Sequence, residues 1–284
     1  MDFKQELKSL GQRLPESHKG DYGHLCIIGG GHSGYAGAVA LAGSAALRSG
    51  AGLVSAVVHP SALALMNRAP AELMCYGLNI SQQEDIVIEL INKATVILIG
   101  PGLTQSDWAL IILKKVLEKA QLSAIPLIID ADALNLLAKY KLRDFLPNEN
   151  YILTPHPGEA ARLLGISPQE IQADRLKALE GLEQKWGGTI ALKGMGTLVY
   201  AKNKPVMQCK AGNPGMATGG MGDVLSGLIG GLVAQGLSLW SAAKLGVLVH
   251  AMAGDRQQVL GQRGMLASDL LTECRALLNF KSHE

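Results

Sequence analysis

Apolar residues in this chain come in short unbroken runs, each followed by a glycine-rich or acidic turn and then a helical pattern. "HLCIIGG" (24–30) reads as a buried strand, "AGAVALAGSAALRSG" (36–50) as a helix of small residues and "LVSAVVH" (53–59) as a second strand, a βαβ unit. "TVILIGPGL" (95–103) is another apolar strand, ending in a Gly-Pro-Gly turn, and "WALIILKKVLEKAQ" (108–121) is an amphipathic helix. "IPLIIDADALNLLAKY" (125–140) and "YILTPHPGEAARLLG" (151–165) repeat strand, turn and helix. Several of these strands lack alternation, as expected when helices cover both faces of a sheet. The succession predicts an α/β protein with a mainly parallel central sheet.

After Trp186 the rhythm changes. "TIALKG", "TLVYA" and "PVMQCKAG" predict three short strands, the latter two forming a hairpin through "KNK". Helical patterns then run to the end: "DVLSGLIGGLVAQG", "LWSAAKLGVLVHAMAGDRQQ" and "ASDLLTECRALLNF". No low-complexity linker or repeat divides the chain, so residues 1–284 are expected to form a single domain. Val224 to Ala243 carries no charge over a length comparable to a membrane span, but its glycines and serines favour two buried helices separated by a turn at Gly236.

Composition sharpens this picture. Hydrophobic residues make up 48% and charged residues 18%, enough for a large core and too apolar for disorder. With 4% aromatics and 34 glycines, the interior must be built from small and aliphatic side chains. A formal net charge of +2 without a basic stripe gives no footing for nucleic acid, so any phosphate-bearing ligand has to be held by local backbone donors. Cys26, Cys75, Cys209 and Cys274 are scattered without a paired motif, which suits a reducing cytoplasm. The polar N-terminal stretch does not read as a signal peptide.

Ligands of open α/β sheets bind outside the carboxyl ends of the strands. There the sequence places Gly29–Gly34, Gly100–Gly102, Asp130, Asp132, His156, Glu159 and Lys193–Thr197. Gly29, Gly31 and Gly34 match a dinucleotide fingerprint, yet the next strand ends in Val58, His59 and Pro60 rather than in a ribose-binding acid, which makes a hydride-transfer enzyme a weak reading. Gly34 and Gly37 are equally explained by close helix–sheet packing. Asp130 and Asp132 could organise Mg²⁺, although Asp132 alone is better read as a helix cap. Pro157 and Glu159 suit a first helical turn, which leaves His156 with no structural task. In "KGMGT" the glycines let backbone N–H groups approach a ligand, and Lys193 is placed for a phosphate or an adenine edge.

"GNPGMATGGMGDVLSG" (212–227) carries the strongest signal. Gly219, Gly220 and Gly222 free the backbone to turn several N–H groups toward one point, and the helix starting near Asp223 adds unsatisfied donors and its positive dipole end. A transferring phosphoryl group would be stabilised there, with Asp223 either a helix cap or the acceptor of a proton from an attacking hydroxyl.

The motif Gly220-Met221-Gly222-Asp223 resembles the anion hole and catalytic base of the ribokinase-like superfamily. More narrowly, "KGDYG", "GYAGA", "GPGL", "DADALN", "TPHPGE", "KGMGT" and "NPGMATGGMGDVLSG" occur in the order found in the ADP/ATP-dependent NAD(P)H-hydrate dehydratases, from Lys19 to Gly227. The resemblance implies a ribokinase-like three-layer fold and dehydration of the S epimer of hydrated NADH or NADPH. The ring hydroxyl would be phosphorylated by ADP (or ATP) with Mg²⁺, and phosphate then eliminated. It implies Asp223 as catalytic base; Ala38, Gly102, His156 and Asp223 as contacts of the hydrated dinucleotide; and Lys193, Gly194, Met195, Gly196, Thr197 and Gly222 as contacts of the donor nucleotide. No residue is assigned as a metal ligand; Asp130, Asp132 and Glu159 are candidate Mg²⁺ or water organisers. About twenty residues precede the first strand, so the epimerase of larger family members is expected as a separate polypeptide, and a homotetramer is expected by analogy. Two rivals stand beside this: a vitamin-precursor kinase on the same fold, against which His156 counts because such kinases carry Asn there, and a non-catalytic nucleotide sensor, against which the intact Asp223 counts.

Overall fold

Seven parallel strands line up because each apolar run is long enough to be buried on both faces and too short to be a helix. The computed structural model describes residues 3–279. Its strands are β1 (His24–Gly29), β2 (Leu53–Val58), β3 (Leu73–Gly77), β4 (Val96–Ile99), β5 (Leu127–Ile129), β6 (Tyr151–Leu153), β7 (Thr189–Leu192), β8 (Leu198–Ala201) and β9 (Met207–Gln208). They form one sheet in the order β3-β2-β1-β4-β5-β6-β7-β8-β9. Pairings from β3 through β7 are parallel, whereas β8 and β9 are antiparallel additions at one edge.

Alternate residues of each strand feed two separate cores. Leu25 and Ile27 enter one, with the helices Ala36–Ser49, Met221–Ala234, Leu239–Gln257 and Leu270–Leu278. Cys26 and Ile28 enter the other, with the helices Glu84–Lys93, Asp107–Ser123, Ala131–Tyr140, Pro157–Leu164 and Arg175–Trp186. Both faces are therefore covered, giving the expected three layers, and each fully buried aliphatic side chain contributes about 1.5–3 kcal/mol.

The small residues of Ala36–Ser49 have a specific use. A Cβ on Gly227 would stand 2.1 Å from the Ala42 carbonyl oxygen, and one on Gly231 2.0 Å from Ser49 Oγ. The two helices pack backbone to backbone, so a methyl group at either glycine would drive them apart.

The chain turns at Gly236, with φ +92°, and divides the uncharged 224–243 stretch into two helices. No described helix is long and apolar enough to cross a membrane. Several elements lie outside the sequence reading, among them the helices Pro168–Ala173 and Arg175–Trp186. The edge strand β3 is only partly buried, which blurs its pattern, and the helix Glu84–Lys93 follows it. Of "PVMQCKAG" only Met207–Gln208 forms a strand. The helix expected to reach Phe280 is described through Leu278, and Phe280 lies outside the described residues.

Candidate active site

The chain runs outward from β1 to β2 and β3, then returns to β4 on the other side of β1. A crevice at the carboxyl ends of β1 and β4 follows from that reversal. The loops meeting there are tied to each other. Gly30 and Gly31 donate their N–H groups to the Pro101 and Gly102 carbonyls at 3.0 and 2.9 Å. A Cβ on Gly29 would lie 2.0 Å from the Pro101 oxygen, and one on Gly31 2.0 Å from the Leu103 oxygen. These glycines serve a loop-to-loop contact, and the Gly30 and Gly31 N–H groups are spent on carbonyls, which counts against the fingerprint reading. Gly34 and Gly37 do not pack closely as expected: a Cβ on either meets nothing within 4 Å. Both are exposed. The contact brings Ala38 and Gly102 together, with 3.2 Å between the Ala38 methyl and a Cβ built on Gly102.

Further along the same rim, the helix Met221–Ala234 begins without a side-chain cap. Its N-cap is Gly220, at φ +90°, and a Cβ there would strike Leu41 at 2.5 Å. The loop before it is held from below: the Asp255 carboxylate accepts from Gly212 N–H at 2.9 Å and Asn213 Nδ2 at 3.1 Å. The Asn213 side chain in turn caps Gly215 N–H at 3.0 Å. The first-turn donors of the helix are thus presented by a loop anchored at Gly212, Asn213 and Gly215.

Asp223 occupies the third position of that helix, and its carboxylate accepts no hydrogen bond among the described residues. It does not cap the helix. Burial pushes its pKa from 3.8 up to about 7, reinforced by Asp130 and Glu159 and opposed by Lys193. Asp130, at the end of β5, is buried; its Oδ1 accepts from Lys193 Nζ at 2.6 Å, and its Oδ2 has no partner. Glu159 Oε2 lies 3.8 Å from the same Nζ. Burial disfavours the Lys193 ammonium, yet Asp130 and Glu159 outweigh that and hold its pKa above the ordinary value. Three carboxylates surround one ammonium, and burial raises the Glu159 pKa as well. A Cβ on Gly222 would come within 3.3 Å of Lys193 Nζ and 4.0 Å of Asp130 Oδ2. The cluster therefore faces the uncapped helix end directly.

Two sequence expectations need correcting. Asp132 is not a helix cap: its Oδ2 accepts from Thr104 N–H at 3.0 Å and its Oδ1 from Asn135 Nδ2 at 3.2 Å, fastening the loop after β4. His156 does have a structural task. It is the N-cap of Pro157–Leu164, its Nδ1 accepting from Gly158 N–H at 2.9 Å while Glu159 Oε2 accepts from His156 N–H at 2.8 Å. With Nδ1 an acceptor, Nε2 carries the ring proton and faces Glu159 Oε1 at 3.3 Å. Burial and the nearby Lys193 charge lower the His156 pKa, which keeps the ring neutral. Half of its side chain remains open to solvent.

The "KGMGT" connection joins β7 to β8 as a turn closed by Thr197 Oγ1 donating to the Gly194 carbonyl at 3.0 Å. Met195 at its tip is almost fully exposed. A family model described as NAD(P)H-hydrate dehydratase matches residues 25–275. The chain belongs to the NAD(P)H-hydrate dehydratase family. A bifunctional NAD(P)H-hydrate repair enzyme of Coxiella burnetii is 48% identical over 98% of this chain but 55% of its own length, so the chain spans about half of that relative. An ADP-dependent (S)-NAD(P)H-hydrate dehydratase of Neisseria meningitidis is 36% identical over 94% of this chain and 88% of that protein. A solved ribokinase-like superfamily protein of Enterococcus faecalis, 29% identical, superposes with a TM-score of 0.88 over 98% of this chain and 94% of that one. The fold of this NAD(P)H-hydrate dehydratase family member is thus the ribokinase-like one implied by its motifs.

Within the family member's rim, Lys193, Gly222 and Asp223 meet in one cluster, with His156 attached to it through Glu159. Ala38 and Gly102 form a separate pair at the neighbouring crevice. Met195 and Thr197 border the cluster through the turn that begins at Lys193. Asp255 and Arg175, described below, escaped the sequence reading: both act on backbone groups far along the chain and neither belongs to a motif.

Proposed function

We propose that this chain, as a single domain, dehydrates the S epimer of hydrated NADH and NADPH in an ADP-dependent reaction. The observation that carries the reading is Asp223: a carboxylate without a hydrogen-bonding partner, with a pKa of about 7, beside an uncapped glycine-bordered helix end. A base poised near neutrality beside donors aimed at a phosphoryl group is the pairing that phosphorylation of a hydroxyl requires.

The hydrated dinucleotide lies against Ala38, Gly102 and His156, with its ring hydroxyl toward Asp223. Asp223 takes the hydroxyl proton while the oxygen forms a bond to the terminal phosphorus of the nucleotide and the bridging bond to that phosphorus breaks. N–H groups of the first helical turn, including that of Gly222, stabilise the moving phosphoryl, and Lys193 neutralises charge on the donor held along Lys193–Thr197. The C6–O bond then breaks with phosphate as leaving group, C5 gives up a proton, and the C5=C6 double bond of the reduced nicotinamide is restored. ADP is consumed to AMP and phosphate.

Mg²⁺ fits this site. Asp130 Oδ2 is buried and unpartnered beside Gly222, and one carboxylate oxygen with waters and phosphates is a donor set that ion takes. Asp130 would hold it, directly or through water, whereas the Asp132 oxygens are engaged elsewhere. When bound, the ion supplies charge neutralisation on the phosphates.

A homotetramer, a cytoplasmic location and a separate epimerase partner complete the proposal by analogy with the family. The four free thiols support the reducing compartment. The deciding assay is the absorbance of the reduced nicotinamide band when the protein meets hydrated NADH, Mg²⁺ and ADP or ATP. A nucleotide-dependent rise is expected. Accumulation of a stable phosphate ester without that rise would instead indicate a kinase.

A further inference from the structure

Lys193 is held more firmly than its motif requires. Its side chain is fixed by Asp130, and its main-chain N–H donates to the Pro155 carbonyl at 2.8 Å. The third restraint comes from Arg175, the first residue of the helix Arg175–Trp186. Arg175 Nη2 donates to the Leu192 carbonyl at 3.0 Å and the Lys193 carbonyl at 3.3 Å, and Nη1 donates to the Lys193 carbonyl at 3.3 Å. Nη1 also donates to Gln172 Oε1 at 3.2 Å. Among the described residues no carboxylate pairs with this half-buried cation.

Two features show that the arrangement is costly and specific. A cation at the first position of a helix opposes the helix dipole, so helix formation alone would not place an arginine there. The guanidinium also lies against Gly194: a Cβ there would be 2.8 Å from Nη1, and the φ of +137° independently favours glycine. The fork therefore grips the two carbonyls that lead into the turn and covers the glycine that opens it. A planar fork can hold two adjacent carbonyls at once, which an ammonium on a flexible stem cannot.

We propose that Arg175 is a positioning residue for the donor-nucleotide loop: its guanidinium fixes the Leu192 and Lys193 carbonyls and so presents Lys193–Thr197 to the phosphate donor. This rests on the reading above that the loop holds an adenine nucleotide. Removing the fork frees the main chain of the turn to rotate while Lys193 Nζ stays on Asp130, weakening nucleotide affinity and leaving the hydrated-dinucleotide side intact.

The test is calorimetric titration of the Mg²⁺-supplied full chain with ADP, ATP and hydrated NADH in turn. Arg175→Ala is expected to weaken nucleotide binding about 10- to 100-fold, the loss of hydrogen bonds from a charged donor. Hydrated NADH should bind as in the wild type, and millimolar guanidinium should restore part of the nucleotide affinity in this variant alone. Arg175→Lys, which keeps charge and bulk, should fall between the two and provides the measurement if the alanine variant does not fold. Wild-type nucleotide affinity in either folded variant overturns the assignment, as does equal loss of both ligands without guanidinium rescue. A wild-type protein that binds neither ADP nor ATP overturns the nucleotide reading itself, and the assignment with it.

Discussion

Two glycine-rich loops sit at the same rim of the sheet and use their glycines for opposite purposes. In Gly29–Gly31 the missing side chains make room for the loop after β4, and two N–H groups are bonded to carbonyls there. At Gly219 and Gly222 the missing side chains leave space, although Gly220 between them packs against Leu41: a Cβ on Gly219 meets nothing within 4 Å, and one on Gly222 would face Lys193 and Asp130 across the opening. One loop is a joint and the other a socket. Glycine spacing alone does not distinguish them; what does is where the backbone N–H groups go.

The sharpest way to test the socket is Asp223→Asn, which keeps shape and removes the proposed base. Turnover should fall about 10²- to 10⁴-fold with nucleotide binding retained. Stopped-flow or steady-state absorbance of the reduced nicotinamide checks it, and near-normal turnover would remove Asp223 from the reaction.

A matched pair of alanine substitutions tests the contrast itself. Gly31→Ala drives a methyl into the Leu103 carbonyl and should destabilise the chain by about 2–4 kcal/mol, read by denaturant unfolding, as buried overpacking does. Gly222→Ala lies in a helix, where alanine is the better former by about 0.5–1 kcal/mol, so stability should hold or rise. Its methyl intrudes on the phosphoryl position, and turnover should drop about 10- to 100-fold. Reversed outcomes would mean the roles of the two loops are interchanged.

A smaller effect follows from pH. Asp223 must be ionised to accept a proton, so kcat/KM should fall as pH drops below about 7 with a slope of one. Stability carries the opposite sign. Because the folded pKa is raised from 3.8 to about 7, the folded state holds a proton the unfolded state has lost across that window. The wild type should lose stability relative to Asp223→Asn as pH rises from about 4 to about 7, with no further divergence above, measured as a Tm difference. Smallest of all, Asp132→Ala should cost about 1–2 kcal/mol through the lost tether on Thr104 N–H, with the chemistry spared, as unfolding and turnover measured together will show.

Much of this architecture can be read from the chain, because unbroken apolar runs admit few alternatives once they are too short for helices and recur with helical patterns between them. That Lys193, Gly222 and Asp223 come together is legible for a related reason: backbone turned toward one point needs glycines, and the charged residues flank them. What escapes the sequence is contact at long range. Asp132 reaches a residue 28 positions away, Arg175 one 18 positions away and Asp255 one 43 positions away, and nothing local marks any of them. His156 escapes for another reason, since histidine is outside the usual set of capping side chains and its Nδ1 takes the part an Asp or Ser oxygen would play.

The backbone-to-backbone seam between the helices Ala36–Ser49 and Met221–Ala234 has a consequence for inheritance. Ala38 stands at the start of one helix and Asp223 at the start of the other, so the seam sets the gap between the wall of one crevice and the Asp223 carboxylate. A mutation at Gly227 or Gly231 touches no ligand, yet it shifts the whole first turn that holds Asp223. Such positions should tolerate drift as poorly as the reacting residues, and in a deep mutational scan they would mimic an active site lying well below the real one.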